Sequence, residues 1–287
     1  MASIKEYNVK LKSLKNTVKI TKTMKMVAAS KLRRAQEAQK DAADYANEVN
    51  RLIVQIAGAA EVETHPLLES KPQVKKVLLV LYTSDKGLCG GFNNNLIRDV
   101  RLWMKDRPEL DVTMSYAGRR GHTYFNKRQE MDTYYEGVTA KPDPMDAKTM
   151  SDDVCGAYLA DSYDEVYLVY NQFISALAQK PNFEKLLPLQ TDVDIPFDSK
   201  VVAKDFIAEP PIKELLNLLI PRLVVFKMHY AMLENAAGEH GARMTAMDNA
   251  TSNANSLIDE YTTRRNRARQ AAITTELTEI VAGAEAL

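Results

Sequence analysis

The sequence predicts an α/β protein in which two long helices, one at each end of the chain, form an antiparallel coiled coil around an inserted α/β domain. Apolar residues recur every 3.5 residues in both terminal segments, which is typical of coiled coils. Between these segments, short apolar runs alternate with helical patterns. We therefore divide the 287 residues into an N-terminal helix at 1–58, a head domain at 74–209 and a C-terminal helix at 210–287.

The N-terminal helix begins at Ser3-Ile4-Lys5-Glu6, a pattern in which the serine and glutamate side chains cap each other's free backbone amides. Gly58 is its expected end, because glycine readily takes the conformation that terminates helices. At 1.5 Å per residue this helix would be about 80 Å long. The residues with coiled-coil spacing define the N-terminal seam: Ile4, Tyr7, Leu11, Leu14, Val18, Thr21, Lys25, Ala28, Leu32, Ala35, Gln39, Ala42, Ala46, Val49, Ile53 and Ile56.

The C-terminal helix carries the longer seam. Pro210-Pro211 opens the helical region, and Pro221 is expected to kink or restart it. Gly238 and Gly241 each cost about 1 kcal/mol relative to alanine inside a helix, so we expect them to mark a close approach to another segment. The C-terminal seam consists of Leu223, Phe226, Tyr230, Leu233, Ala237, His240, Met244, Met247, Thr251, Ala254, Ile258, Tyr261, Arg265, Ala268, Ala272 and Thr275.

The two helices differ in length. The C-terminal helix would measure about 95 Å against about 80 Å for the N-terminal one, so an antiparallel pair leaves about 15 Å or more of its end without a helical partner. We call Ile273–Val281 the C-terminal tip. Its apolar residues Ile273, Leu277 and Ile280 predict that the tip docks against another surface.

Basic residues dominate the first part of the N-terminal helix, where Glu6 is the one acid between Lys5 and Arg34. Such a run is usually a solvated helix face. Here the interspersed acids that relieve repulsion along a helix are missing, so we expect an acidic partner. The net charge of the whole chain is +0, which argues against nucleic acid as that partner. The basic run comprises Lys5, Lys10, Lys12, Lys15, Lys19, Lys22, Lys25, Lys31, Arg33 and Arg34.

The middle of the chain predicts a Rossmann-like, doubly wound sheet. The apolar run at 74–82 reads as a strand buried on both faces, and a helix follows with Leu96, Ile97, Val100 and Trp103 on one face. The polar stretch 190–209 reads as a return connection. Further strands are predicted at 112–116 and 165–170 and within 186–189, with helices at 119–127 and 149–160.

A glycine-rich loop, Lys86-Gly87-Leu88-Cys89-Gly90-Gly91, connects the first strand to its helix. This is the outline of a phosphate-binding turn, but the spacing fits neither dinucleotide-binding nor P-loop patterns. The alternative is a tight turn presented to a partner. Cys89 lacks an evident base and is expected to be a structural thiol rather than a nucleophile.

Other chemistry is weakly indicated. The histidines His65, His122, His229 and His240 show no metal-ligand spacing, so we expect neither a metal nor a cofactor. Two cysteines and no apolar leader favour a reducing, intracellular setting. No continuous apolar run reaches about 18 residues, so we expect no membrane-spanning segment.

Three motifs make the chain resemble the gamma subunit of F-type ATP synthases, bacterial in type. They follow one another across essentially the full length: Asn16–Lys31 (NTVKITKTMKMVAASK), Asp85–Asn93 (DKGLCGGFN) and Ala268–Val281 (ARQAAITTELTEIV). The resemblance implies a bent antiparallel coiled coil inside a ring of alpha and beta subunits, with the head outside against the epsilon subunit and the membrane c-ring. Proton flow would turn the c-ring and this subunit, driving ATP synthesis in the beta sites, or hydrolysis in reverse.

The resemblance also implies contact residues. Met24, Lys25, Arg243, Gln270, Thr274 and Glu276 match positions that contact beta loops in the family. Gly87, Leu88, Cys89, Gly90 and Glu209 match the foot, near the c-ring and epsilon. The subunit would have no catalytic residue of its own, and would be a peripheral protein at the cytoplasmic face of the bacterial inner membrane.

Two other functions remain open at this stage. One is a nucleotide-binding α/β enzyme with helical arms, which the glycine loop would serve. The other is a static coiled-coil adaptor, which the two seams would serve equally well.

Overall fold

The computed structural model describes residues 3–57, 65–189 and 212–285, with side chains described at 3–42, 65–189, 214–282 and 284. Gly58 and Glu209 lie outside these ranges, as does the expected return connection at 190–209. The elements in chain order are α1 (Ile4–Ala57), β1 (Lys76–Tyr82), α2 (Phe92–Lys105), β2 (Asp111–Ala117), α3 (Arg119–Phe125), β3 (Glu130–Tyr135), α4 (Pro144–Leu159), β4 (Glu165–Phe173), β5 (Gln179–Leu187) and α5 (Ile212–Glu285).

The predicted fold class is confirmed: in chain order, a long helix precedes and another follows a mixed α/β domain whose sheet is mainly parallel. The strand order is β3-β2-β1-β4-β5. Strands β1 to β4 are parallel to one another, and β5 pairs antiparallel with β4. This order reverses direction at β1, as expected for a doubly wound sheet.

Strand β1 is central because its side chains are buried on both faces. Leu78, Val80 and Tyr82 pack in a core with α4 and the first part of α5. Leu79 and Leu81 pack in a second core on the other face, with α2 and α3. The continuous apolar run therefore predicted its two-sided burial correctly.

Two strands differ from the sequence prediction. Strand β3 was not predicted, because it lies at the sheet edge and its exposed half lacks an apolar alternation. Strand β5 begins at Gln179, well before the predicted segment at Leu186, since its polar side chains are only partly covered. Helix α4 begins five residues early, at Pro144, where Asp143 Oδ1 accepts a hydrogen bond from the Met145 amide at 2.8 Å.

Helix α1 follows its predicted pattern closely. The Ser3 hydroxyl accepts a hydrogen bond from the Glu6 amide at 3.2 Å, as the capping motif requires. From Ile4 to Ala42, every residue of the N-terminal seam is buried or half-buried, and nearly all other residues are exposed. Side chains further along the seam are outside the described set.

Helix α5 runs through Pro221 as one helical segment of 74 residues, so the predicted restart is wrong. The first part of α5 packs on the sheet, and its side chains Leu216, Ile220 and Val224 belong to the core of the head. From Ala231 to Glu239 all its residues are buried, whereas a simple pair of helices would bury only a seam. Beyond Met247 every predicted seam residue up to Ala272 is buried or half-buried, Thr275 is exposed, and outside the seam only Ala250, Thr262 and Asn266 of the described residues are half-buried.

Helix α5 bears on the expectation that no segment spans a membrane. Within Glu214–Ala282, α5 contains a segment that is long and apolar enough to cross a membrane by length and composition, with 39% of it buried within the protein. Its apolar residues do not form one continuous run of that length, and its hydropathy is high only as an average over 18 residues. Buried core helices of non-membrane proteins share this composition, and Leu216, Ile220 and Leu223 of this helix are packed in the head core.

The chain divides into two compact units. One comprises Met1–Ala29 with Arg243–Leu287, and the other comprises Ser30–Ala242. In the first unit the helices run antiparallel, because Tyr7, Thr21 and Lys25 of α1 meet Tyr261, Thr251 and Asp248 of α5 in reverse order. We refer to this unit as the helical pair and to the second as the head unit.

Candidate partner-contact site

The helical pair contains a polar layer in its seam. The hydroxyls of Thr21 and Thr251 lie 2.7 Å apart, and one turn further Lys25 Nζ lies 2.6 Å from Asp248 Oδ1. Polar groups inside an apolar seam are best satisfied in one alignment of the two helices. The layer therefore favours a single register of the pair.

Lys25 is turned differently from the rest of the basic run. Its side chain is half-buried against α5, while every other member of the run is exposed. The basic run predicts that Lys25, like its neighbours, meets an acidic partner. In the structure the Lys25 ammonium pairs instead with Asp248 of the same chain. Met24, its neighbour, is also half-buried.

The outer surface of α1 is both basic and apolar. Val9, Ile20, Met26 and Val27 are exposed by 52–64%, among exposed lysines and arginines. Lone exposed apolar residues are ordinary, but four on one basic helix make a surface suited to a partner with acidic and apolar groups. We call this surface the basic face.

The remaining predicted contacts are spread along α5. Arg243 is half-buried near the polar layer, whereas Gln270, Thr274 and Glu276 are exposed near the tip, about 40 Å or more further along the helix. The Thr274 hydroxyl donates to the Gln270 carbonyl at 3.0 Å. These residues form two separate groups within the helical pair.

The C-terminal tip is uncovered as expected. Ile273, Leu277, Ile280 and Val281 are exposed by 48%, 57%, 68% and 57%. All described side chains from Ile273 to Ala282 are exposed. Tyr7, close to the start of α1, meets Tyr261, so α5 continues well past the end of its helical partner.

In the head unit, the glycine loop is a tight turn built around Asn93. The Asn93 carboxamide accepts from the Ser84 amide at 3.0 Å and donates to the Ser84 hydroxyl at 2.7 Å and to Cys89 Sγ at 3.3 Å. Gly90 has a positive φ of 58°, which explains the glycine there. Leu88 also has a positive φ, 63°, and is 64% exposed.

Both cysteines are buried or half-buried. Cys89 is 2% exposed beneath the loop. Cys155 is half-buried, and burial raises the pKa of its thiol, which disfavours the reactive thiolate. Neither forms a disulfide, and no cluster suited to a metal ion occurs among the described residues.

The loop borders a cavity of about 430 Å³ that is also lined by Arg120 and Arg128. A Cβ on Gly87 would lie 2.6 Å from Arg120 Nη2, so this glycine lets the guanidinium pack against the loop. Arg128 stacks on Tyr124, with its guanidinium carbon 4.7 Å from the ring centroid. The cavity has basic walls, but it lacks the lysine and serine or threonine of a P-loop.

The glycines of α5 do mark a close approach. A Cβ on Gly238 would lie 3.0 Å from Phe92 Cε2, and one on Gly241 would lie 3.1 Å from Ala176 Cα. Helix α5 is thereby pressed against the carboxyl edge of the sheet, in the head unit. Sequence reasoning located these contacts but missed buried Glu234 beside them, because an acid in an apolar helix carries no pattern of its own.

Comparisons with known proteins agree with the motifs. A family model described as ATP synthase matches residues 3–287. The ATP synthase gamma chain of Trichlorobacter lovleyi is 43% identical over 100% of this chain and 99% of its own length. That of Desulfitobacterium hafniense is 41% identical over the full length of both chains.

Solved structures show the same fold. A chain from the central stalk and c-ring of the Tetrahymena thermophila mitochondrial ATP synthase is 25% identical, with a TM-score of 0.58 over 80% of this chain and 99% of that one. A chain from the Euglena gracilis mitochondrial enzyme, in rotational state 3, is 20% identical with a TM-score of 0.63 over 99% of this chain and 94% of that one. With these relatives matched along their whole length, the chain belongs to the ATP synthase gamma chain family.

Proposed function

We propose that this chain is the central-stalk rotor subunit of a proton-transporting ATP synthase. It would couple rotation of a membrane c-ring to conformational cycling of the beta subunits. The observation that carries the proposal is the C-terminal tip, where a long helix outruns its partner and leaves apolar side chains uncovered. Such a tip requires a surrounding surface, and a ring of alpha and beta subunits would supply one.

The mechanism follows from symmetry. A pair of unequal helices has no threefold axis, so a ring of three catalytic sites around it must hold its sites in different states. Rotation then shifts the populations of those states in turn. The subunit moves free energy through shape and needs no catalytic group, cofactor or metal of its own.

Contacts with the ring must break on each turn. We assign the upper contacts to Gln270, Thr274 and Glu276, and the lower ones to Met24, Arg243 and the basic face. Exposed ion pairs are worth about 0–1 kcal/mol each, which suits contacts that are made and released repeatedly. Lys25 contributes by holding Asp248 and the register of the helical pair.

The glycine loop belongs to the head unit, and we assign Gly87, Leu88, Cys89 and Gly90 to the foot that meets the c-ring and epsilon subunit. Exposed Leu88 is the group that would be buried there; Cys89 would support the turn from beneath. Glu209, assigned to the same foot, lies outside the described residues. The complex would place the subunit at the cytoplasmic face of a bacterial inner membrane.

Reconstitution tests the proposal. The chain is mixed with alpha and beta subunits, and complex formation, ATP hydrolysis and rotation of a probe on the head are recorded. A stoichiometric complex that turns its probe supports the rotor. A failure to form any such complex would exclude it.

The two alternatives predict other results. A nucleotide-binding enzyme should bind ATP or NAD tightly in calorimetry of the isolated chain, through the cavity at the glycine loop. A static adaptor should tolerate a covalent cross-link between helical pair and ring, whereas a rotor should lose turnover when linked.

A further inference from the structure

A buried carboxylate joins three segments of the head unit. Glu234, on α5, is 3% exposed, and its carboxylate accepts three hydrogen bonds. Gln39 Nε2 of α1 donates to Oε1 at 2.5 Å, and the Tyr230 hydroxyl donates to the same oxygen at 2.8 Å. The backbone amide of Phe173, the last residue of β4, donates to Oε2 at 2.5 Å.

All three donors are uncharged, and Glu234 has no ion pair with a cationic side chain in the described part of the chain. A buried charge without a counter-ion is normally expensive. The charge of Glu234 is tolerated here because three short hydrogen bonds replace those that water would make. An apolar residue would be the ordinary choice at such a position, so the carboxylate is there for its connections.

The two oxygens serve different segments. Oε1 holds α1 through Gln39, while Oε2 holds the carboxyl end of β4 through the Phe173 amide. A carboxylate is the side chain of this length that accepts on both oxygens. A glutamine would keep one acceptor and turn an NH₂ group toward a donor on the other side, which would leave one segment released.

We infer that Glu234 is the positioning residue that fixes helix α1 to the sheet of the head, and so carries torque from the head into the helices. This inference rests on the proposed rotor function. Torque applied at the head must reach both helices. The sheet contacts α5 over a wide apolar area. In the described part of α1 within this unit, Leu32 is buried, and the side-chain hydrogen bonds that join α1 to α5 come from Gln39.

A second network provides a matched control. Glu184 of β5 accepts from the Lys227 ammonium of α5 at 2.7 Å and from the Tyr170 hydroxyl at 2.9 Å. Like the Glu234 network, it bonds α5 to the sheet, but Glu184 is half-buried whereas Glu234 is buried. It makes no described bond to α1, so Lys227→Met should affect the head without releasing that helix.

The experiment compares wild type, Glu234→Gln, Gln39→Leu and Lys227→Met in the assembled complex. Amide hydrogen exchange is measured at residues 30–42 and at Phe173, and proton pumping per ATP hydrolysed is measured in vesicles. Losing a buried hydrogen bond should speed exchange in α1 roughly tenfold. We expect this for Glu234→Gln and Gln39→Leu, together with a loss of pumping per ATP, and neither change for Lys227→Met.

The outcomes separate the inference from the rotor proposal. Unchanged exchange at 30–42 in Glu234→Gln overturns the inference even if the complex rotates. Faster exchange with unaltered pumping per ATP overturns the torque role, because a merely structural bond would behave in that way. Failure of the wild-type chain to assemble at all counts against the rotor and is seen before any variant is made.

Discussion

Lys25 Nζ lies 2.6 Å from Asp248 Oδ1, so a residue in the middle of a basic run is bound to the chain's own C-terminal helix. The two side chains are 40% and 55% exposed, which limits such a pair to about 0.2–1 kcal/mol. The contact is therefore a weak ion pair between the two helices. It separates Lys25 from its basic neighbours, which remain available to a partner.

Charge reversal should have different effects at Lys25 and at its exposed basic neighbours. Reversing Lys22, Lys25 and Lys31 together should weaken coupling more than folding. Lys22→Glu with Lys31→Glu should lower ATP synthesis in vesicles without changing the free energy of unfolding, because both side chains are exposed. Lys25→Glu alone should lower the free energy of unfolding by up to about 1 kcal/mol, since it places a carboxylate beside Asp248.

The exchanged pair Lys25→Glu with Asp248→Lys is the control, and it should recover the lost stability. Wild-type ATP synthesis in the triple reversal would contradict the role of the basic face. A Lys25→Glu chain as stable as wild type would show that the Lys25–Asp248 ion pair contributes nothing to the free energy of unfolding.

Alanine at Gly241 should destabilise the chain. Its Cβ would press on the Ala176 backbone at 3.1 Å, and overpacking typically costs about 1–3 kcal/mol, more than the roughly 1 kcal/mol that alanine gains in a helix. Gly156→Ala in α4 is the control, because nothing lies within 4 Å of its Cβ. Denaturant unfolding should move in opposite directions for the two variants, and a stabilised Gly241→Ala would refute the close packing.

Acid should erase the contribution of Asp164. Burial by itself raises the pKa of this carboxyl, but hydrogen bonds from the Lys76 and Lys75 amides and the Lys71 charge lower it below its ordinary 3.8. A lowered pKa stabilises the fold above the unfolded value, and the effect is lost as pH falls through the folded value. Wild type should therefore exceed Asp164→Asn in unfolding free energy at pH 7, with the gap closing below pH 3.8.

Asp164→Asn is a clean variant, because both amides donate to the same oxygen, Oδ2, and an amide oxygen can replace it. Asp161→Asn, which alters the other carboxylate near Lys71, is the comparison and should show a smaller gap at pH 7. A gap for Asp164→Asn that persists unchanged in acid would disprove the assignment.

The tip should matter only in the complex. Ile273→Ser with Leu277→Ser should leave unfolding of the isolated chain unchanged, because both side chains are already exposed. It should weaken association with the ring, since burying each side chain is worth about 1.5–3 kcal/mol. Association is measured by titrating labelled chain into alpha and beta subunits. Thr278→Ala is the polar control, and equal affinity for all variants would exclude docking by the tip.

Truncation of the chain after Val281 should be tolerated.

Periodicity determined much of this protein in advance. The N-terminal seam was readable because a 3.5-residue repeat has one physical solution over many turns, and β1 was readable because continuous apolar runs fit a sheet covered on both faces. Gly238 and Gly241 signalled a close approach because glycine has a cost inside helices. Strand β3 carried no such pattern, since an edge strand is shaped by its single neighbour.

Tertiary structure alone decided what each charge does. Lys25 is one of ten similar bases in the sequence, and only the facing helix shows that it pairs with Asp248 across the seam. Glu234 is an acid in an apolar stretch, and only the fold brings Gln39, Tyr230 and the Phe173 amide to it. A repeat in the sequence reflects the local geometry of a helix or strand, because that geometry fixes the spacing of the residues along the chain. The partners of a buried charge come from distant segments, and their distances exist only after the chain has folded.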